Sequence, residues 1–283
     1  MSRLMRRARA STTFLLATAM ACIAMADPAP TSQTTGADLA KLKAVVNDAH
    51  RSAANKARDK YRHPVETLAF FGIRPNMTVV ELWPFGGWYT EIIAPYVKGK
   101  GTYYAAAQDP TSNDREDKEY NAELKSLLDA RPDLYSEVKW SVLGKGKYDF
   151  APAGSADMVV TFRNIHNWVW GGQEKEVFAA AFRALKPGGI LGVEEHRAKD
   201  ANAKPKRGEA YVGEDYAVSL IESAGFKLVG RSNINNNPKD TKDYPKGVWT
   251  LPPVFAEGAK DRAKYAAIGE SDRFTLKFVK PGS

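Results

Sequence analysis

Cysteine is almost missing from this chain: Cys22 is the only one in 283 residues. It lies in an N-terminal segment with the form of a removable export signal, so the mature chain is expected to have none. Disulfides, thiolate catalysis and Cys-ligated metal sites are then excluded. The start of the chain also lacks acids, while it holds Arg3, Arg6, Arg7 and Arg9. The apolar run that follows, from Phe14 to Met25, is too short to span a bilayer comfortably. A basic start, a short apolar stretch and the small-x-small Ala24-Met25-Ala26 read as a secretory signal, residues 1–26, cut after Ala26. The expected destination is the periplasm or the medium. Ala19-Met20-Ala21 before Cys22 leaves a lipoprotein anchor as a minor alternative. Nothing after residue 26 reads as a stable membrane span.

A concentrated basic face is missing as well. The formal charge is +8, and the four arginines of the signal supply half of it. The rest is spread along the sequence, which argues against nucleic acid as a partner. A hydrophobic fraction of 43% and a charged fraction of 26% suit one α/β domain with a sizeable core. There is no internal repeat.

What is present is a rhythm. Residues 27–36, rich in Pro, Thr, Ser and Gly, form a flexible lead-in, and residues 37–283 read as a single domain. Apolar spacing from Ala37 onward predicts an amphipathic helix, and Pro64–Gly72 a shorter one. Thr78–Leu82 reads as a strand, broken by Trp83-Pro84-Phe85-Gly86-Gly87, with a helix from Trp88 to Val97. Further strands are expected at Gly101–Ala106, Val138–Val142, Ala156–Phe162, Ile190–Val193, Phe226–Arg231 and Arg273–Val279. Helices are expected near Lys118–Ala130, Glu174–Leu185 and Asp215–Ala224. Strands alternating with helices imply a three-layer, doubly wound, mostly parallel sheet. The last strand alternates Phe274, Leu276 and Phe278 against Thr275 and Lys277, which suits an antiparallel strand near an edge. The polar stretch 232–272 breaks the rhythm and reads as a long loop or lid.

In such a sheet, ligands bind beyond the carboxyl ends of the strands. After the first strand, Gly86 and Gly87 let backbone approach a ligand, and the next helix N-terminus favours a negative group. Glu81 offers the opposite sign. After the fourth strand come Arg163, Asn164 and His166. An imidazole titrates near neutrality, so His166 is a candidate general base. Arg163 suits a carboxylate, and Asn164 a hydrogen bond. After the fifth come Glu194-Glu195-His196, of which Glu195 and His196 are candidates for a second acid/base role. Neighbouring strand residues rarely bind one ion together, so no metal is expected. His63, Tyr244, Trp249, Phe255 and the Asn235–Asp240 stretch are candidate covers for the cleft.

Four segments carry a resemblance. Val79–Thr90 looks like the first motif of class I S-adenosylmethionine (SAM)-dependent methyltransferases. Gly154–Val159 resembles that family's approach to the fourth strand, and Ala184–Leu191 its Leu-Lys-Pro-Gly-Gly turn. Ile221–Phe226 is similar to its Ala-Gly-Phe entry to the sixth strand. They fall in order over roughly residues 60–280. Trp88–Glu91, Arg163–Trp168 and Asn237–Asp240 are similar to stretches of a group of exported predicted methyltransferases.

The resemblance implies SAM as cofactor, held by Glu81, Trp83, Gly86, Gly87, Trp88, Asp109, Arg163 and Asn164, and a small-molecule or surface-linked acceptor. It also exposes departures. Trp83 and Phe85 stand where the family has glycines. Ala107 stands where it has a ribose-binding acid, with Asp109 the nearest substitute. The alternative is a non-catalytic small-molecule-binding module on the same fold. The oligomeric state is left open.

Overall fold

The computed structural model describes residues 34–282. The signal segment, Cys22 and most of the lead-in lie outside the described residues. Among those described, no helix is long and apolar enough to cross a membrane.

Thr35 caps the first helix, α1 (Gly36–Asn47), through a reciprocal box with Asp38. The helix expected to run on from Ala37 stops at Asn47, and two short ones follow it, α2 (Ala53–Lys56) and α3 (Asp59–Arg62). Asp59 and Arg62 of α3 are held in ion pairs. Arg51, held between them and α1, donates to Asp59 at 2.8 Å. Then come α4 (Pro64–Phe71), β1 (Thr78–Leu82), α5 (Thr90–Val97), β2 (Thr102–Ala107), α6 (Arg115–Ala130), α7 (Pro132–Tyr135) and β3 (Lys139–Val142). The second half holds β4 (Ala156–Phe162), α8 (Ile165–Gly171), α9 (Glu174–Ala184), β5 (Leu185–His196), α10 (Glu214–Glu222), β6 (Lys227–Ser232), a 3-10 turn (Gly247–Thr250), α11 (Arg262–Ile268) and β7 (Arg273–Val279).

The seven strands form one sheet in the order β3-β2-β1-β4-β5-β7-β6. All neighbours run parallel except β7, which is antiparallel to both β5 and β6. The doubly wound class read from the sequence is the class observed. The last strand is one place in from the edge, and its two faces are both covered: Thr275 is buried as deeply as Leu276. Each face of the sheet has its own core. Leu82, Val159, Trp168, Phe178 and Leu191 pack under α8–α10. Phe71, Val79, Ile92, Tyr96 and Val160 pack under α1, α4 and α5. Gly192 lets α4 sit directly on β5, since a Cβ there would lie 2.6 Å from the Phe71 ring.

The order reverses between β1 and β4, and the crevice above their carboxyl ends is where a ligand site belongs. The polar stretch 232–272 folds onto this end and carries structure of its own. Buried Asn235 bonds Thr67 and Thr275, and buried Asp240 accepts from Tyr211 and from the Asp272 backbone.

Candidate functional site

A cleft of two lobes, about 390 and 440 Å³, opens over the carboxyl ends of β1, β4 and β5. Phe85, Tyr120, Arg163, His196 and Trp249 line both lobes and so form the wall between them.

The loop after β1 sets one side. Trp83 and Phe85 have φ of +47° and +50°, and Gly87 has +85°. The backbone therefore follows the left-handed path that glycine takes easily, with two aromatic residues on it. Such residues cost about 1–3 kcal/mol each and are held by their surroundings. Here the anchors are visible. The Trp83 indole N–H donates to the Leu143 carbonyl at 2.8 Å and its ring meets Trp168. Phe85 lies edge-on to Tyr120 with centroids 4.6 Å apart. At Gly87 a Cβ would come within 2.4 Å of Leu127, so this position keeps glycine on two grounds.

The first lobe is rich in arginine. Arg58 just before α3, Arg62 at its end, Arg163 after β4 and Arg273 at the head of β7 all line it. Two carboxylates tie them together. Glu270 bonds Arg58 at 2.6 Å, Arg62 at 3.1 Å and also Arg273. Glu194 bonds Arg163 at 2.8 Å and lies 3.4 Å from Arg273. Burial alone would raise the Glu270 carboxyl, yet Arg273, Arg62 and Arg58 hold it well below the usual range. Burial and the neighbouring Arg163 push Arg62 well below the usual guanidinium value. Four guanidinium groups share two carboxylates, so this lobe favours an anion. Trp88 forms its side wall, with the Arg62 guanidinium 4.6 Å over its ring.

The second lobe is aromatic on its walls and acidic at its rim. Trp83, Trp170 and Trp249 face it, with Asp114 and Asp117 at the N-terminus of α6. His166 and His196 share its floor, ring centroids 5.6 Å apart. His166 Nδ1 lies 3.2 Å from Glu195 Oε1, and Glu195 is fully buried. If Nδ1 carries the proton, Nε2 is left as the acceptor. His196 Nδ1 pairs with Ser271 Oγ at 2.6 Å. Burial, then the charges of His166, Arg273 and Arg163, drive the His196 pKa well below the ordinary value, so this ring is neutral.

The residues singled out from the sequence divide. Trp83, Gly86, Trp88, Arg163, His166 and His196 line the cleft, with Glu195 directly beneath. Glu81, Gly87, Asp109 and Asn164 line neither lobe. Glu81 is buried below the loop, where Tyr103 and Thr90 both donate to its Oε2. Burial raises its pKa to about 7. Asp109 is engaged by Lys147 and Thr111, which lower its pKa to about 2. Asn164 donates to the Leu82 carbonyl at 2.8 Å and fastens β4 to the β1 loop. His63 reaches Asn235, Tyr244 packs on Tyr265, and Phe255 lies under Arg262. Of the suggested covers, Trp249 lies over the cleft. Sequence reasoning missed Arg58, Arg62, Glu270 and Arg273. The one signal available was the charged cluster Glu270-Ser271-Asp272-Arg273 running straight into an apolar strand.

Solved structures share this architecture. A SAM-dependent methyltransferase from Aquifex aeolicus superposes with a TM-score of 0.54 over 86% of this chain and 98% of its own, at 16% identity. The 4+2 cyclase SpnF superposes with a TM-score of 0.55 over 87% and 94%, at 14% identity. At such identities the likeness is one of fold. No family model and no curated protein matches the chain by sequence.

Proposed function

We propose that this chain is a SAM-dependent methyltransferase acting on a small or surface-linked acceptor. The observation that carries the reading is the fit between the two lobes and a ligand with a carboxylate at one end and a nucleoside at the other. Arg58 and Arg62 would hold the carboxylate. Asp114 and Asp117 would accept from ribose hydroxyls, in place of the missing acid after β2. Phe85, Tyr120 and Trp249 offer aromatic faces where a sulfonium would lie, and such faces attract cations. When bound, SAM supplies an electrophilic methyl group. The chain's own contribution is position and a proton acceptor. Residues of the wall between the lobes align the acceptor with the first ligand, an effect worth several kcal/mol when geometry is right. His166, with Nδ1 oriented by Glu195, takes the acceptor's proton at Nε2.

The test is calorimetry with SAM and S-adenosylhomocysteine. Micromolar binding, weakened about tenfold by Arg58→Gln through loss of a charge-assisted bond, supports the reading. Folded protein that binds neither at millimolar concentration overturns it.

One observation favours a second reading. Trp83 and Phe85 place large rings on the loop where the resembled family has glycine, and Ala107 offers no acid. A cleft so changed suits a binding module or another chemistry, and SpnF, a cyclase, has the same fold. Failure to bind SAM would select it. Export after cleavage at Ala26 completes the proposal. N-terminal sequencing of the mature protein should begin at Asp27, and a retained Met1 would refute it.

A further inference from the structure

Neighbouring residues on a strand point to opposite faces, which argues from sequence against Glu195 and His196 serving one ion. The structure answers that objection, because both come to His166. Glu195 Oε1 lies 3.2 Å from His166 Nδ1 and accepts the His196 backbone N–H at 2.8 Å. One ligand atom from each of the three side chains lies within 4.8 Å of the others. We propose that His166, Glu195 and His196 form a binding site for a divalent transition-metal ion at the floor of the second lobe.

Four features support it. A four-coordinate ion with bonds near 2.0–2.2 Å sets its ligands about 3.3 Å apart, close to the 3.2 Å between His166 Nδ1 and Glu195 Oε1, where the ion would take the place of the proton these two atoms share when no ion is bound. The third ligand needs only a small closing movement of about 1.5 Å or less. His196 gives Nδ1 to Ser271, which leaves Nε2 as its free nitrogen. A partner on the far ring nitrogen is the usual way a ligand histidine is oriented. Two imidazoles and one carboxylate suit zinc or ferrous iron, and they suit calcium or magnesium poorly. Finally, the site is closed below and open above. Glu195 is buried, while His166 and His196 line the lobe, so a position remains for an outside ligand.

Charge is the counter-argument, since Arg163 and Arg273 stand near. Both are ion-paired to Glu194, and Arg273 also to Glu270, so their field at this floor is partly matched. An ion here would bind an oxygen-, nitrogen- or sulfur-bearing acceptor and favour its deprotonated form. The site stands without the methyl-transfer reading, because it can be assayed with no SAM present.

The full chain, stripped with a chelator, is titrated with Zn²⁺ by calorimetry and with Co²⁺ by visible absorption. One equivalent should bind at micromolar concentration or tighter, with ligand-field bands of nitrogen coordination. His166→Gln and His196→Gln should each weaken binding about 100-fold, and Ser271→Ala about tenfold, with unchanged circular dichroism. No uptake by the wild type at millimolar Zn²⁺ overturns the proposal. So does a His166→Gln/His196→Gln variant that holds the ion as tightly as the wild type. Should the variants fail to fold, the wild-type Co²⁺ spectrum decides: no imidazole coordination means no site. SAM affinity is measured separately, so the two readings fail separately.

Discussion

Glu81 allows a quantitative test, through the substitution Glu81→Gln. Its carboxyl has an ordinary value of 4.5 and is raised to about 7 in the folded chain, chiefly by burial. Each unit corresponds to about 1.4 kcal/mol, so the difference amounts to about 3 kcal/mol. The direction follows from linkage. A raised carboxyl binds its proton more tightly when folded. Its contribution is complete below the unfolded value and is lost as pH rises through about 7. The wild type should therefore lose about 3 kcal/mol from this group between pH 4.5 and pH 8. Glutamine removes the titration. It can also keep the local bonds, because Tyr103 and Thr90 both donate to one oxygen, Oε2, which an amide carbonyl replaces. The variant should match the wild type near pH 5 and exceed it by about 2–3 kcal/mol at pH 8. Urea unfolding followed by circular dichroism at half-unit pH steps measures the gap. A gap that stays constant from pH 5 to pH 8 would refute the reasoning, as would a variant less stable than the wild type at pH 8. Because Glu81 lines neither lobe, SAM affinity should not change.

Glu270→Gln leaves three guanidinium groups without their shared carboxylate, and should cost about 3–5 kcal/mol in chemical unfolding. A loss under 1 kcal/mol would show that the network is worth no more than a surface pair. Gly192→Ala forces a methyl against the Phe71 ring and should cost about 1–3 kcal/mol. Phe71→Leu in the same chain should recover part of that, and simple additivity of the two losses would refute the contact.

Much of the sheet was legible because its central strands are short apolar runs and helices such as α9 carry an apolar stripe. Ala156–Phe162 and Arg273–Val279 match the observed strands residue for residue. The helix α8, which follows Arg163 and Asn164, is not among the helices expected from the sequence. Trp168 there is buried and Trp170 faces the cleft, so no clean stripe marks the helix. His166, Glu195 and His196 stand out in the sequence because they follow strand ends, and the structure places them at or under the cleft. The arginine lobe was not found, because its partners are separated by more than two hundred residues: Arg58 meets Glu270 across 212 positions. No local pattern carries such a pairing. Asp109 and Glu81 lie outside both lobes for a different reason. A strand end tells which residues are near the cleft, but the hydrogen bonds from Lys147 or Tyr103 decide where each carboxylate points.

The placing of β7 has a temporal consequence. Because this strand follows the other six in the chain yet slots between β5 and β6, Glu270 to Asp272 and its first residue, Arg273, reach the cleft only after those six strands have been made. They then close a loop back to α3, some two hundred positions earlier, and loops of that size close late because their entropy is recovered only by contacts made at the end. A nascent chain thus carries a half-built cleft, with Arg58 and Arg62 lacking their carboxylate. The arginine lobe gains its shared carboxylate only when this strand joins the sheet.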